Sequence, residues 1–194
     1  MANRYWNEYQ KTIADDHYYY ERSCIRQTFF PGSETAFLRM MQEELGKDVF
    51  DDFRLHTCTG IGYHTDVVPL ETTMTVVARI FSLMTERGYE NLVPSCITSF
   101  GVFTEMCHMW QEHPELLDQT RENLYQACKR EFDMPKNIAH PSDLIFKYRF
   151  ELGEKMKYRL VNRFTGKPLN VVEHIGCHYI SRSEERRVGK ECRS

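Results

Sequence analysis

The stretch Pro69–Ser99, PLETTMTVVARIFSLMTERGYENLVPSCITS, carries a helix, its stop, a strand and the opening of a second helix in direct succession. Leu70, Met74, Val77, Phe81 and Met84 recur at alternating steps of four and three, which lines one face of an α-helix; Pro69 can open it and Gly88 end it. Asn91 to Pro94 reads as a short strand, and Cys96-Ile97-Thr98-Ser99 leads into a helix reaching Gln111.

The same alternation extends in both directions. Upstream, Arg4 to Arg22 places Tyr5, Trp6, Tyr9, Ile13 and Tyr20 at a rough helical spacing, and Cys24 to Phe30 is a β-prone run stopped by Pro31-Gly32. Ser33 can cap a helix carrying Phe37, Met40, Met41 and Leu45, with Gly46 as its stop, and a second strand is expected at Phe53 to Thr57. Downstream, helices are expected from Pro114 to Phe132 and from Pro141 to Met156, and Asn170 to Tyr179 reads as a fresh strand running into a Gly-Cys turn. Short strands alternating with helices specify an α/β fold: a parallel sheet built of βαβ units with flanking helices. In such sheets the loops at the carboxyl ends of the strands build the site. Ser33, Cys58, Thr59, Cys96 and Ser99 each fall just after an expected strand.

Composition excludes several classes. The 194 residues are 41% apolar and 27% charged, with a formal net charge of -3, which suits a globular domain rather than a basic nucleic-acid binder. No run approaches the length of a membrane span, and the polar, acidic start MANRYWNEYQKTIADD lacks the layout of a secretory signal, so the expected location is cytoplasmic. The last residues, Arg182 to Ser194 (RSEERRVGKECRS), match the peptide encoded by a common sequencing adapter read in one frame, and are set aside. On that reading the natural sequence is truncated near Ile180 or Ser181, and nothing functional attaches to Cys192. Without its five basic and three acidic residues the net charge becomes -5.

The remaining cysteines, at 24, 58, 96, 107, 128 and 177, are expected to be reduced thiols in a chain without a secretory signal. Cys107 and Cys128 lie in expected helices and read as small buried hydrophobes, whereas Cys58 and Cys96 sit on loops where a thiolate can be exposed. Two other chemistries use nearby residues. His56, Cys58, His64 and Asp66 offer four zinc donors within eleven residues but match no common zinc spacing, and Cys96 with His64 or His108 could make a thiol hydrolase. Trp6, Trp110 and the run Tyr18-Tyr19-Tyr20 read as core or edge packing, with a partner surface as the other possibility.

From Ile25 to Tyr179 the chain resembles the cysteine-rich CCG-domain family typified by the B subunit of heterodisulfide reductase, which also includes iron–sulfur subunits of glycolate and lactate oxidases. That family's module runs strand, Gly-Cys, then Cys-Cys-Gly some thirty residues on, then Cys-x-x-Cys, and usually occurs twice. Gly32-Ser33 falls where Gly-Cys belongs, Cys58-Thr59-Gly60 where Cys-Cys-Gly belongs, Cys96-Ile97-Thr98-Ser99 where Cys-x-x-Cys belongs, and His174 to Tyr179 resembles the opening of the second module. The implied layout is an N-terminal helical segment at 1–24, one complete module at 25–169 and the start of a truncated second module at 170–181, followed by the adapter residues at 182–194.

The resemblance implies an iron–sulfur oxidoreductase subunit taking part in electron transfer or disulfide reduction, with flavin-containing and ferredoxin-like subunits as partners. The departures locate that chemistry. Ser33, Thr59 and Ser99 replace family cysteines, so the retained candidate cofactor- and metal-binding residues are Cys58, Cys96 and Cys177. Clusters are held by thiolates, typically four. The family's noncubane [4Fe-4S] cluster is therefore expected in the second module, and the first module is expected to serve as scaffold. Cys24 has a fitting spacing to Cys58, but at the start of an expected strand it should point from the wrong end of the sheet. A non-redox structural subunit of the same fold is the reading from a different class. The fragment is expected to be poorly soluble or oligomeric where the second module would cover it.

Overall fold

The computed structural model describes residues 12–51, 57–58, 60–156, 161–162 and 164–167. Four parallel strands form one sheet, β1 (Tyr18–Glu21), β2 (Val49–Asp51), β3 (Asn91–Pro94) and β4 (Asn137–Ile138), in the order β2-β1-β3-β4. Tyr18 pairs with Val49 on one side and with Asn91 on the other, and Asn91 pairs with Asn137. The expected α/β architecture is the observed one.

Between the strands run α1 (Cys24–Phe29), α2 (Pro31–Arg39, continued by a π-helical turn at Met40–Glu44), α3 (Gly60–His64), α4 (Leu70–Glu86), α5 (Ile97–Glu112) and α6 (Pro114–Cys128), and α7 (Pro141–Lys147) and α8 (Arg149–Lys155) follow β4. Helices cover both faces of the sheet, and each face has its own core. Tyr19, Leu92 and Ile138 pack under α4, α5 and α6, against Met74, Val77, Phe81, Phe103 and Trp110. Tyr18, Tyr20, Val49 and Val93 point the other way, onto Phe37, Leu38 and Met41 of the α2 region and Leu144 of α7. Strands buried on both faces carry apolar or aromatic side chains at every position, which explains three consecutive tyrosines in β1.

The N-terminal third departs from expectation. Of the helix expected over Arg4 to Arg22, residues 4–11 lie outside the described residues and Tyr18–Glu21 is a strand, whose faces bury alternate tyrosines. A boundary after residue 24 would leave β1 out of the sheet in which it pairs with both β2 and β3. The strand expected from Cys24 to Phe30 is helix α1, because the Ser23 side chain caps it, accepting from the Arg26 amide at 3.2 Å, and none of its residues is buried. Pro31, expected to stop a strand, opens α2, so Ser33 lies inside a helix rather than capping one. β2 begins four residues before the expected strand, and residues 53–56 lie outside the described residues.

Between Pro69 and Ser99 the expectations hold. α4 ends with Gly88 at φ +76°, a left-handed conformation that disfavours side chains, and β3 has the expected bounds. The expected Pro114–Phe132 helix stops at Cys128, and Phe132 folds back to 5.3 Å from the Trp110 ring. The helix expected from Pro141 breaks at Tyr148, whose hydroxyl is held by Tyr18 at 3.1 Å and by the Asp15 carbonyl at 2.9 Å. Trp110 and Tyr18–Tyr20 are core residues, and Trp6 lies outside the described residues. Among the described residues no helix is long and apolar enough to cross a membrane.

Candidate functional site

The carboxyl ends of β1 and β3 bring the cysteines together. β1 ends at Glu21, the Ser95 amide extends its pairing by donating to the Glu21 carbonyl at 2.8 Å, and Cys96 then caps α5. On the β1 side, Ser23 caps α1 and Cys24 is that helix's first residue. Cys58 lies two residues before α3. A Cβ on Gly60 would lie 2.3 Å from Thr98 Cγ2, so glycine lets the start of α3 press against the first turn of α5. Burial raises the Cys24 pKa, and the neighbouring Cys58 and Cys96 side chains add to the shift.

Cys24 therefore belongs to the thiol group, contrary to expectation. With the strand at residues 18–21 it follows a carboxyl end, and Ser23-Cys24 occupies the place after the strand where the resemblance puts Gly-Cys. Ser33 lies apart, exposed on α2 with its hydroxyl donating to the Phe30 carbonyl at 2.8 Å. Ser99 is buried in the first turn of α5. Thr59 and Cys177 lie outside the described residues. Cys107 is half-buried, and burial pushes its thiol up to about 12, whereas Cys128 is exposed rather than buried, its thiol donating to the Leu124 carbonyl at 3.4 Å.

A buried polar layer lies behind the thiols. The fully buried Glu34 of α2 accepts from the Ser23 amide at 2.8 Å and from the Ser95 hydroxyl at 2.9 Å through Oε1, joining the ends of β1 and β3. Its Oε2 lies 3.9 Å from Arg22, whose guanidinium also holds Asp51 of β2 at 2.7 and 2.5 Å. Glu21 is buried, and its Oε2 has no hydrogen-bond partner among the described residues. Burial holds its pKa well above the usual carboxylate range, and the nearby Cys96, Glu34 and Cys58 side chains add to the shift. None of this layer is a candidate from sequence.

His140, after β4, completes the edge. Its Nδ1 accepts from the Ser142 amide at 3.3 Å and lies 2.7 Å from the Ser142 hydroxyl, while Asp143 accepts from the His140 amide at 2.9 Å, a reciprocal cap on α7. Burial pushes its pKa down to about 4, Arg26 adds to the shift, and the Ser95 backbone opposes it. Below the ordinary value of 6.5 the unfolded chain takes up a proton that the folded chain refuses until about 4, so this residue makes stability fall as pH drops through that window. His140→Asn keeps a capping acceptor without titrating. Its urea midpoint is expected to lose less than the wild type's between pH 7 and pH 5, a difference of about 2 kcal/mol; parallel losses would show that His140 does not drive the pH dependence.

Cys96 starts α5 and His108 sits twelve residues along it, about 18 Å away at 1.5 Å per residue, so they form no dyad. The His64 ring packs 5.3 Å from Tyr63, Asp66 follows at φ +54°, and His56 lies outside the described residues. Among the described residues, no group of three or more His, Cys, Asp or Glu side chains is disposed to hold a metal ion.

No protein-family model matches the chain. It is 27% identical over 165 residues to the B subunit of the ferredoxin:CoB-CoM heterodisulfide reductase of Methanosarcina acetivorans, an alignment covering 81% of this chain and 50% of that protein. The chain thus has a distant resemblance to that protein and spans about half its length. The thiols at the described sheet edge do not fit the four-thiolate cluster that the family pattern implies: Cys24, Cys58 and Cys96 are three, and hydroxyl residues, Thr59 and Ser99, stand at the other two cysteine positions of the pattern.

Proposed function

We propose that this chain is part of a heterodisulfide-reductase-B-like iron–sulfur oxidoreductase subunit taking part in electron transfer or disulfide reduction. In this reading the described sheet is a CCG-like module that has become scaffold and partner interface. The observation that carries it is the resemblance across most of the chain, taken with the thiols that follow β1 and β3 at the sheet edge. The cluster belongs to a second module beginning at residue 170, with Cys177 among its ligands. Flavin-containing and ferredoxin-like subunits are the partners, in the cytoplasm. An interface role is supported by α1, where Ile25, Phe29 and Phe30 are 55, 70 and 65% exposed beside the thiols.

The test is iron and acid-labile sulfide on the natural full-length gene product, purified anaerobically without residues 182–194. About four irons per chain with matching sulfide are expected, falling sharply in Cys177→Ser. A folded full-length protein with neither iron nor sulfide would overturn the redox reading and leave a structural subunit of the same fold.

A further inference from the structure

The outer face of α8 carries a pattern that the sheet does not use. Tyr148 and Leu152 pack inward, against the core that holds Tyr18 and Phe37, and no residue of α8 is fully buried. On the opposite stripe, Phe146 of α7 and Phe150 are 41 and 74% exposed, and the Arg149 guanidinium lies over both rings, 4.1 and 4.3 Å from their centroids. One turn further, Gly153 is exposed, and a Cβ there would meet nothing within 4 Å.

Phe146, Phe150 and Gly153 follow one another at steps of four and three, the spacing by which two helices pack along a shared seam. Arg149 flanks that seam on one side and Glu154 on the other, five residues apart. Among the described residues neither has an ion-pair partner, whereas Lys155 is held by Glu151 at 3.7 Å and Lys147 by Asp15 at 2.6 Å.

We propose that this face is a self-association surface, on which α8 of a second copy of this chain lies parallel about a twofold axis running along the two helices. That symmetry carries each flank onto the opposite flank of the partner, so Arg149 of one copy meets Glu154 of the other, twice. In an antiparallel pair the like flanks would meet, Arg149 against Arg149 and Glu154 against Glu154. Phe146, Phe150 and Arg149 are of the residue types that anchor interfaces, and Gly153 leaves space for a ring of the second copy. The surface uses none of the thiols, so the inference does not depend on the redox reading.

The test is analytical ultracentrifugation of the 194-residue chain under reducing conditions. The seam is short and belongs with weak interfaces, so a monomer–dimer equilibrium is expected at about 100 μM. Phe150→Asp, at an exposed position, should raise the dissociation constant about tenfold or more with the urea midpoint unchanged. Arg149→Glu and Glu154→Arg should each weaken association, since each places like charges across the seam. An equimolar mixture of those two variants should restore it as a heterodimer, a recovery that no folding defect can produce. Phe29→Asp, on the exposed face of α1, is the control and should leave association unchanged. A monomer at every concentration up to about 100 μM, a dimer indifferent to Phe150→Asp, loss of the dimer in Phe29→Asp, or no recovery in the mixture would overturn the proposal.

Discussion

Replacing Glu34 by alanine is expected to lower the unfolding free energy at pH 7 by about 3 to 5 kcal/mol, the largest effect of any polar substitution at the sheet edge. Its carboxylate accepts from the Ser23 amide and the Ser95 hydroxyl in a fully buried position, and alanine would leave both donors without an acceptor. Each hydrogen bond to a charged acceptor contributes about 1.5 to 3 kcal/mol, and the vacated volume adds to the loss. The ion pair with Arg22 contributes little, because it is long at 3.9 Å and Arg22 keeps Asp51. Glu34→Gln retains an acceptor oxygen and should cost less than half as much. Urea unfolding of both variants checks this, and a loss below about 1 kcal/mol for alanine would mean that Glu34 does not join the ends of β1 and β3.

Glu21→Met is expected to act in the opposite direction, raising stability at neutral pH. The folded chain keeps the buried Glu21 protonated above the ordinary value of 4.5, while the unfolded chain releases the proton there. Stability from this residue is fully present below pH 4.5 and is lost as pH rises, by about 1.4 kcal/mol for each unit over which the folded carboxyl holds its proton. Methionine matches the side chain in length, titrates nowhere and removes an oxygen that has no hydrogen-bond partner among the described residues. The variant should equal or fall below the wild type at pH 4.5 and exceed it progressively toward pH 8. Parallel stability curves for the two proteins would show that Glu21 ionises freely in the folded state. His140 imposes the reverse slope between pH 6.5 and 4, so differences between variant and wild type separate the two residues where the wild-type profile alone does not.

Sequence periodicity identifies the parts of the fold in which one pattern dominates. The four-and-three spacing from Leu70 to Met84 marks α4, closed by Gly88, and the short stretch Asn91 to Pro94 that follows marks β3 with its bounds. β1 escapes for a physical reason. A strand covered on both faces has no alternation, so Tyr18-Tyr19-Tyr20 carries no period of two, while Ile13 and Tyr20 happen to fit a helical spacing seven apart. That error displaces the first cysteine: a strand at Cys24–Phe30 directs attention to Ser33 and sends Cys24 to the wrong end of the sheet. Cys58 and Cys96 stand out from their loops, and the structure brings both to the edge. The buried layer is illegible for another reason. The partners of Glu34 lie 11 and 61 residues away, and an isolated glutamate in a helix is indistinguishable from a solvated one until the sheet is assembled. β4, two residues long, is too short to leave any pattern.

Central to the proposed function is that the described sheet edge is a three-thiol remnant and not a cluster site. The most direct test is anaerobic reconstitution of the 194-residue chain with iron and sulfide, followed by measurement of bound iron, acid-labile sulfide and remaining free thiol. A three-thiol edge predicts far less than one four-iron cluster per chain, with Cys24, Cys58 and Cys96 still open to alkylation. About four irons and four sulfides per chain, lost in Cys58→Ser and Cys96→Ser, would contradict it.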